Sequence, residues 1–240
     1  MAPFDLEFYF DPICPFAWMT SKWVRQVATL RHLEVDWRFI SLRLVNAEVD
    51  YEEHFPPGYE AGHSAGLALL RVAAAVRRAH GAEAVGRLYA AYGAELFDRH
   101  PGREPELRRD AVAFAGPILA GLELPAGLAS AAADDGFDAE IKAETDRALE
   151  LTGRDVGTPI LHFDPPEGTA FFGPVISRLP SDEEAVRLWE HVVGLASFGG
   201  FAELKRSLRE VPQLRSYGIE DGEVGRQEDW QQGHRRAAEG

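Results

Sequence analysis

The pattern of apolar residues near the start of the chain predicts a β-α-β unit. Residues 6–10 form an aromatic-rich run suited to a strand, which Asp11-Pro12 interrupts. A helical pattern then runs from about Cys14 to Leu30, and residues 35–42 alternate apolar and polar positions. We expect the two strands to lie parallel, joined by a right-handed crossover.

A long helical pattern follows a loop rich in proline, glycine and acidic residues at positions 46–66. Apolar residues recur at helical spacing almost as far as Leu151, and glycines divide this stretch into about four helices. The pattern indicates an all-helical block inserted into an α/β frame.

The frame resumes with two short apolar runs, at 158–163 and 170–176, which predict a β-hairpin. Ser181 precedes a further helical pattern, and Glu184 completes a capping box three residues later. Beyond Leu208 the sequence becomes polar and rich in glutamine, which is typical of a disordered tail. The predicted parts are the first part of the frame (1–50), the helical insertion (51–152), the second part of the frame (153–208) and the tail (209–240).

The net charge of the chain indicates which classes of binding partner are disfavoured. The 240 residues carry a formal net charge of −14, which repels nucleic acid and anionic membranes. No apolar run approaches the ~20 residues that a membrane helix needs, and the first residues lack the pattern of a signal peptide. We therefore expect a cytoplasmic protein without nucleic-acid or membrane partners. Whether it forms a homodimer stays open.

The single cysteine is the main candidate for chemistry. Cys14 stands between two prolines, at the junction of the first strand and the first helix. A helix N-terminus stabilises an anion, so this position is expected to lower the pKa of the thiol. Pro15 is compatible with the first helical turn, where its missing N–H has no helical partner. A buried structural cysteine is the alternative.

Other motifs in the sequence are weaker. Residues 62–66 match the G-x-S-x-G pattern of α/β-hydrolases, but the prolines before them exclude the central strand that this motif requires. The histidines show no spacing typical of a metal site, so none is predicted. His162 is interpreted as a hydrogen-bonded strand histidine.

The residues around Cys14 resemble the active-site turn of DsbA-like thioredoxin-fold oxidoreductases, which usually reads C-P-x-C. Four further stretches are similar to the mycothiol-dependent nitroreductase branch of this family. They are Ser41-Leu42 with Asn46, Val156 to Pro159, Phe171 to Val175, and Leu188-Trp189. The resemblance covers about residues 5–207 and implies an α/β, thioredoxin-like fold with an inserted all-helical subdomain.

The resemblance also implies roles for individual residues. Cys14 is expected to be the catalytic nucleophile, and Thr158-Pro159 the cis-proline loop that faces it. The remaining residues expected to bind substrate surround these: Pro15, Phe16, Trp18, Asn46 and Tyr59.

The sequence departs from the family pattern at Ala17, which replaces the second cysteine. A dithiol enzyme resolves its mixed disulfide with that sulfur, so Cys14 requires an external thiol. The expected function is thiol-dependent oxidoreduction through one cysteine, with mycothiol or glutathione as co-substrate and no tightly bound cofactor. Its second partner is expected to be an electrophile or disulfide, such as a nitro or quinone-like aromatic. Two alternatives stay open: a kappa-type glutathione transferase or hydroxychromene-carboxylate isomerase-like enzyme, and a non-catalytic binding module.

Overall fold

The structure is a computed structural model that describes residues 4–206, 208–231 and 234–235. The strands of these residues are β1 (Leu6–Phe10), β2 (Val35–Phe39), β3 (Ile160–Phe163), β4 (Ala170–Phe172), β5 (Leu208–Glu210), β6 (Gln227–Gln231) and β7 (His234–Arg235). The α-helices are α1 (Pro15–Arg31), α2 (Leu42–Val45), α3 (Tyr51–His54), α4 (Tyr59–His80), α5 (Ala82–Phe97), α6 (Glu104–Arg109), α7 (Ala111–Gly121), α8 (Asp138–Thr152) and α9 (Asp182–Ala196). Short 3-10 helices cover Ala126–Ala133, Asp135–Phe137 and Arg215–Tyr217.

The frame sheet has the strand order β2-β1-β3-β4. β1 and β2 pair in parallel, with Phe8 opposite Trp37, which confirms the predicted β-α-β unit. β3 is antiparallel to β1 and to β4, which confirms the predicted hairpin. The capping box is also confirmed, since the Ser181 hydroxyl accepts the backbone N–H of Glu184 and the Glu184 carboxylate accepts that of Ser181.

Successive side chains of β1 point to opposite faces of the sheet, so they pack against helices on both sides. Phe8 and Phe10 belong to the main core with Trp23 of α1, whereas Tyr9 packs with Ala148 of α8 on the other face. α8, which precedes the predicted boundary at residue 152, therefore packs on the frame sheet. The sheet is enclosed between α1 and α9 on one face and α8 on the other.

The helical block begins earlier than the sequence predicts. The expected loop at 46–66 contains α3 and the first turns of α4, which starts directly after Gly58. Gly58 has a φ of +88°, a conformation that glycine adopts without steric cost. The block also holds more helices than the four predicted, since the pattern does not separate α6 from α7. Residues 62–66 are helical, so they form no nucleophile elbow.

The predicted disorder beyond residue 208 is wrong for much of that segment. β5 pairs antiparallel with β6, and the Val211 N–H donates to the Arg226 carbonyl at 2.9 Å. Leu214 is only 1% exposed and belongs to the main core. This leucine lies within a polar sequence, so the composition gives no sign that the segment is docked. The expectation for 232–233 and 236–240 lies outside the described residues.

None of the helices that the structure describes is both long and apolar enough to cross a membrane.

Candidate active site

Cys14 is the N-cap residue of α1, with extended backbone angles of φ −84° and ψ 114°. Its Sγ accepts a hydrogen bond from the Ala17 N–H at 3.4 Å, and Pro15 is the first helical residue. An N-cap side chain normally satisfies one of the free N–H groups of the first turn, and here sulfur takes that part. The position of Cys14 and Pro15 at the helix start therefore agrees with the sequence prediction.

The segment before β3 faces this sulfur. The Cys14 Sγ–H donates to the Thr158 carbonyl at 3.5 Å, although 144 residues separate the two in sequence. The Thr158–Pro159 peptide bond is cis. The Thr158 hydroxyl donates to the Tyr9 carbonyl at 3.0 Å, and the Pro159 carbonyl accepts the Gly173 N–H at 2.8 Å. Both neighbouring strands thus hold this loop against the thiol.

The thiol lies in a small apolar cluster, which we call the thiol cluster. It consists of Cys14, Phe16 and Ala17, with Leu42 and Val175 packed against them. Cys14 is 9% exposed. Burial raises the pKa of its thiol to about 12, and the hydrogen bond from Ala17 opposes this rise without overcoming it. The expected lowering of the pKa is therefore not found in this conformation, where the thiol is protonated at neutral pH.

Asp11 is a buried acid beside the thiol cluster. The sequence pattern identifies it only as part of the break after the first strand. Its carboxylate accepts the backbone N–H of Ile13 at 3.1 Å and that of Leu42 at 2.8 Å. A Cβ on Gly66 would lie 2.5 Å from the Asp11 Oδ1, so α4 packs directly on this group. Burial raises the pKa of Asp11 to about 7. When ionised, Asp11 raises the pKa of Cys14 further.

Arg209 of β5 also reaches the thiol cluster from the segment predicted to be disordered. Its guanidinium lies 5.9 Å from the centre of the Phe16 ring, and its charge lowers the pKa of Cys14. The polar composition of this segment gives no sign that Arg209 lies near Cys14, because composition does not indicate where a segment packs in the fold.

Three residues expected at the site lie elsewhere or make other contacts. Trp18 packs in the main core against Tyr89, and its Nε1 donates to Asp98 at 3.2 Å. α5 accommodates the indole at Gly93, where a Cβ would lie 2.2 Å from the ring.

Asn46 and Tyr59 also make contacts with residues other than Cys14. The Asn46 amide donates to the Leu42 carbonyl at 2.8 Å at the end of α2. Tyr59 belongs to an aromatic group with Tyr51, Phe55 and His63, in which the Tyr51 hydroxyl and His63 Nδ1 are 2.9 Å apart. Their place in a substrate site stays a prediction.

Two other features bear on ligands. A cavity of about 260 Å³ opens beside Ile13, and Phe97, Glu104 and Tyr217 are among the residues that line it. In the part of the chain that the structure describes, no group of three or more potential ligands is arranged to hold a metal ion. His162 bonds Glu7 at 2.8 Å within the sheet, as its interpretation as a strand histidine requires.

Comparisons with known proteins identify relatives of this chain. The model of the Rv2466c-like family, described as mycothiol-dependent nitroreductase Rv2466c, matches residues 13–206. The uncharacterised protein Rv2286c of Mycobacterium tuberculosis is 34% identical over 202 residues, which are 84% of this chain and 81% of the relative.

Two solved structures are similar in fold. A protein disulfide isomerase candidate from Nitrosomonas europaea has a TM-score of 0.53 at 14% identity, over 79% of this chain and 97% of that one. A 2-hydroxychromene-2-carboxylate isomerase has a TM-score of 0.49 at 16% identity, over 79% and 94% of the two chains. The first likeness supports the thioredoxin-like fold that the sequence resemblance implied. Together with the family match and the relative, it shows that this chain has a thioredoxin-like fold and belongs to the Rv2466c-like family.

Proposed function

We propose that this protein is a monothiol oxidoreductase in which Cys14 exchanges disulfides with a low-molecular-weight thiol. The observation that carries the proposal is the position of the Cys14 Sγ between the Ala17 N–H and the Thr158 carbonyl, at distances of 3.4 and 3.5 Å. The N–H stabilises a thiolate, and the carbonyl next to Pro159 supplies a backbone edge against which a thiol-bearing substrate can lie. The match to a mycothiol-dependent family favours mycothiol over glutathione as that thiol.

The proposed exchange has two steps. The Cys14 thiolate attacks one sulfur of a small-molecule disulfide, a new S–S bond forms to Cys14, and the other half leaves as a thiolate. Ala17 offers no sulfur to resolve the mixed disulfide. A second small thiol, as its thiolate, therefore attacks this bond and restores the Cys14 thiolate. The shape of the thiol cluster, with the flat Phe16 ring beside the sulfur, restricts which disulfides approach.

The same site supports an exchange of electrons with a further substrate. Two thiols that join as a disulfide release two electrons and two protons, and a nitro group that accepts them becomes a nitroso group and water. The name of the matching family makes a nitroaromatic compound the first acceptor to assay. A single cysteine that forms no internal disulfide suits a reducing compartment, so we place this activity in the cytoplasm.

A non-catalytic binding module is the second candidate. The observation that favours it is the burial of Cys14, which raises the pKa of the thiol to about 12 and leaves little thiolate at neutral pH. For the enzyme, the site has to open or take up water before the thiol reacts. The two candidates therefore differ in whether native Cys14 reacts at all.

Intact mass spectrometry after incubation with oxidised mycothiol, and separately with oxidised glutathione, tests the proposal. We expect one adduct per chain, formed faster with oxidised mycothiol and removed by reduced mycothiol, because Cys14 is the only thiol. Cys14→Ser is the matched control and should form none. Protein unfolded in urea shows that each reagent reacts with an accessible Cys14. An adduct in urea but none in the native protein contradicts the enzyme and supports the binding module.

A further inference from the structure

The C-terminal segment, residues 208–228, joins the frame to the helical block, and we call it the strap. On the frame side, the Gln213 N–H donates to the Ser177 carbonyl at 2.6 Å, and the Ser177 hydroxyl donates to Glu210 at 2.9 Å. On the side of the helical block, His100 Nδ1 lies 2.9 Å from the Arg215 carbonyl. These contacts at both sides fix the course of the strap across the molecule.

The first strand of the strap carries Arg209 to the thiol. β5 and β6 pair so that Arg209 lies opposite Glu228. The Arg209 side chain is half-buried and extends over the Phe16 ring, at 5.9 Å from its centre. Burial lowers the pKa of this guanidinium, and the neighbouring Cys14 opposes that change. The cation is therefore held close to the reacting atom of the site.

The charges that face Cys14 come from two elements. Asp11, between β1 and α1, raises the pKa of the thiol, and Arg209 lowers it. The backbone N–H groups of Phe16 and Ala17 lower it as well. The carboxylate of Asp11 is engaged by two backbone N–H groups and is fully buried, so it does not meet a substrate. Arg209 thus supplies the positive charge at the side of the thiol that the strap covers.

We propose that Arg209 is a substrate-binding residue of the Cys14 site, where it attracts a carboxylate or similar anionic group next to the atom that Cys14 attacks. This inference rests on the proposed function insofar as Cys14 is the reacting group. Arg209 lies beyond residues 13–206, the part of the chain that the family model matches. The strap therefore carries this proposed determinant of specificity outside the matched range. The chain has a net charge of −14, which repels anionic substrates, and a local arginine offsets that repulsion at the thiol.

Alkylation by two reagents of similar size but different charge tests this proposal. Iodoacetate is an anion and iodoacetamide is neutral. In both reactions the Cys14 thiolate forms a C–S bond, the C–I bond breaks and iodide leaves. Both rates depend on the same thiolate population, so their ratio reports the local charge and not the thiol pKa. We expect Arg209→Gln to lower the iodoacetate-to-iodoacetamide rate ratio by roughly 3–10-fold, because one cation near the sulfur is removed.

Two further variants make the outcome specific to the charge of residue 209. Arg209→Lys keeps a cation and should retain most of the ratio. Arg215→Gln removes a cation from an exposed position of the same strap, where it pairs with Glu220 and Asp221, and should leave the ratio unchanged. Circular dichroism and the thermal midpoint show that each variant is folded, and the ratio in urea gives the value without local structure.

An Arg209→Gln ratio equal to that of the wild type overturns the proposal. An equal loss in Arg209→Lys and Arg209→Gln also overturns it, because the packing of the strap would then matter instead of the charge. Alkylation needs no catalytic turnover. A shifted ratio in a protein that forms no mycothiol adduct therefore supports Arg209 while the proposed exchange reaction fails, and the two results are distinguished.

Discussion

Two regions beside the frame sheet, one partly buried and one buried, use opposite chemistry. One is an ionic network on the side of α8, formed by Glu7, Asp36, Arg38, Arg77, Glu140, Glu144 and His162. The other is the thiol cluster at the start of α1, where apolar side chains surround one sulfur. The network joins the frame to the helical block through many charged partners. The cluster gives its single polar side-chain atom two long hydrogen bonds.

The two regions differ in how many contacts are lost when one of their residues is removed. Arg77 contacts Glu140 at 2.6 Å and Glu144 at 2.8 Å, and Glu144 also accepts the Phe39 N–H at 2.7 Å. Loss of one partner there leaves the others buried and unsatisfied, so the network is expected to be rigid. The thiol makes two long hydrogen bonds, so only weak interactions are broken when it moves. A nucleophile must form and break bonds during a reaction. An environment such as the thiol cluster, with few bonds to the reacting atom, suits it better than the ionic network does.

The largest expected effect concerns Asp11, the charged group that lies beside the thiol cluster. Burial raises its pKa from 3.8 to about 7, so the folded state retains a proton that the unfolded chain releases from about pH 4 upwards. The contribution of Asp11 to stability is complete below about pH 4 and is lost as the pH rises through 7. In Asp11→Asn this position does not titrate. We expect the free energy of unfolding of the variant, relative to wild type, to rise by up to about 4 kcal/mol between pH 4 and pH 8.

Urea unfolding at a series of pH values measures this difference. The variant has a constant cost of its own, since an amide accepts only one of the two N–H groups that Asp11 bonds. The change with pH is therefore the informative quantity. Asp155→Asn, at an exposed position, is the control for the loss of one carboxylate. A difference that does not change with pH would mean that Asp11 does not titrate in this range.

A smaller effect is expected within the ionic network. Glu144→Ala removes a partner from Arg38 and Arg77 and an acceptor from the Phe39 N–H. We expect the free energy of unfolding to fall by about 3 kcal/mol, because buried charges lose their compensation. Chemical denaturation measures it, with Glu150→Ala on the exposed side of α8 as the matched control. The alkylation rate of Cys14 should stay unchanged; a parallel change in that rate would contradict the separation of the two regions.

The smallest effect is expected at the thiol itself. Cys14→Ser should change the free energy of unfolding by about 1 kcal/mol, since the hydrogen bonds to Ala17 and Thr158 are long. The same denaturation experiment measures this change. A cost as large as that of Glu144→Ala would show that the sulfur is a structural group, and would remove the contrast between the two regions.

Local patterns in the sequence predict the frame well. The strand β1, the start of α1 at Cys14 and the capping box at Ser181 each depend on neighbouring residues, and the structure has all of them. Their prediction succeeds because alternation, a strand-breaking proline and an N-cap pair act within a few residues.

The properties of the site depend on distant residues and were not predictable in the same way. The pKa of Cys14 is set by burial under Leu42 and Val175, which no pattern around residue 14 reveals. Trp18 was expected beside the sulfur, but α5 offers a glycine that receives its ring. Arg209 comes from a segment whose composition indicates disorder. In each case the side chain's surroundings result from packing between segments far apart in sequence.

The distance along the chain between Cys14 and Arg209 has a consequence for biosynthesis. The two residues are 195 positions apart (209 minus 14), so the strap is translated well after the thiol. At about 5–20 residues per second, the thiol emerges from the ribosome roughly 10–40 s before the arginine that covers it. The segment before β3, whose Thr158 carbonyl accepts the hydrogen bond from the thiol, also follows late. The nascent chain therefore presents an uncovered cysteine until these segments have been made and have folded.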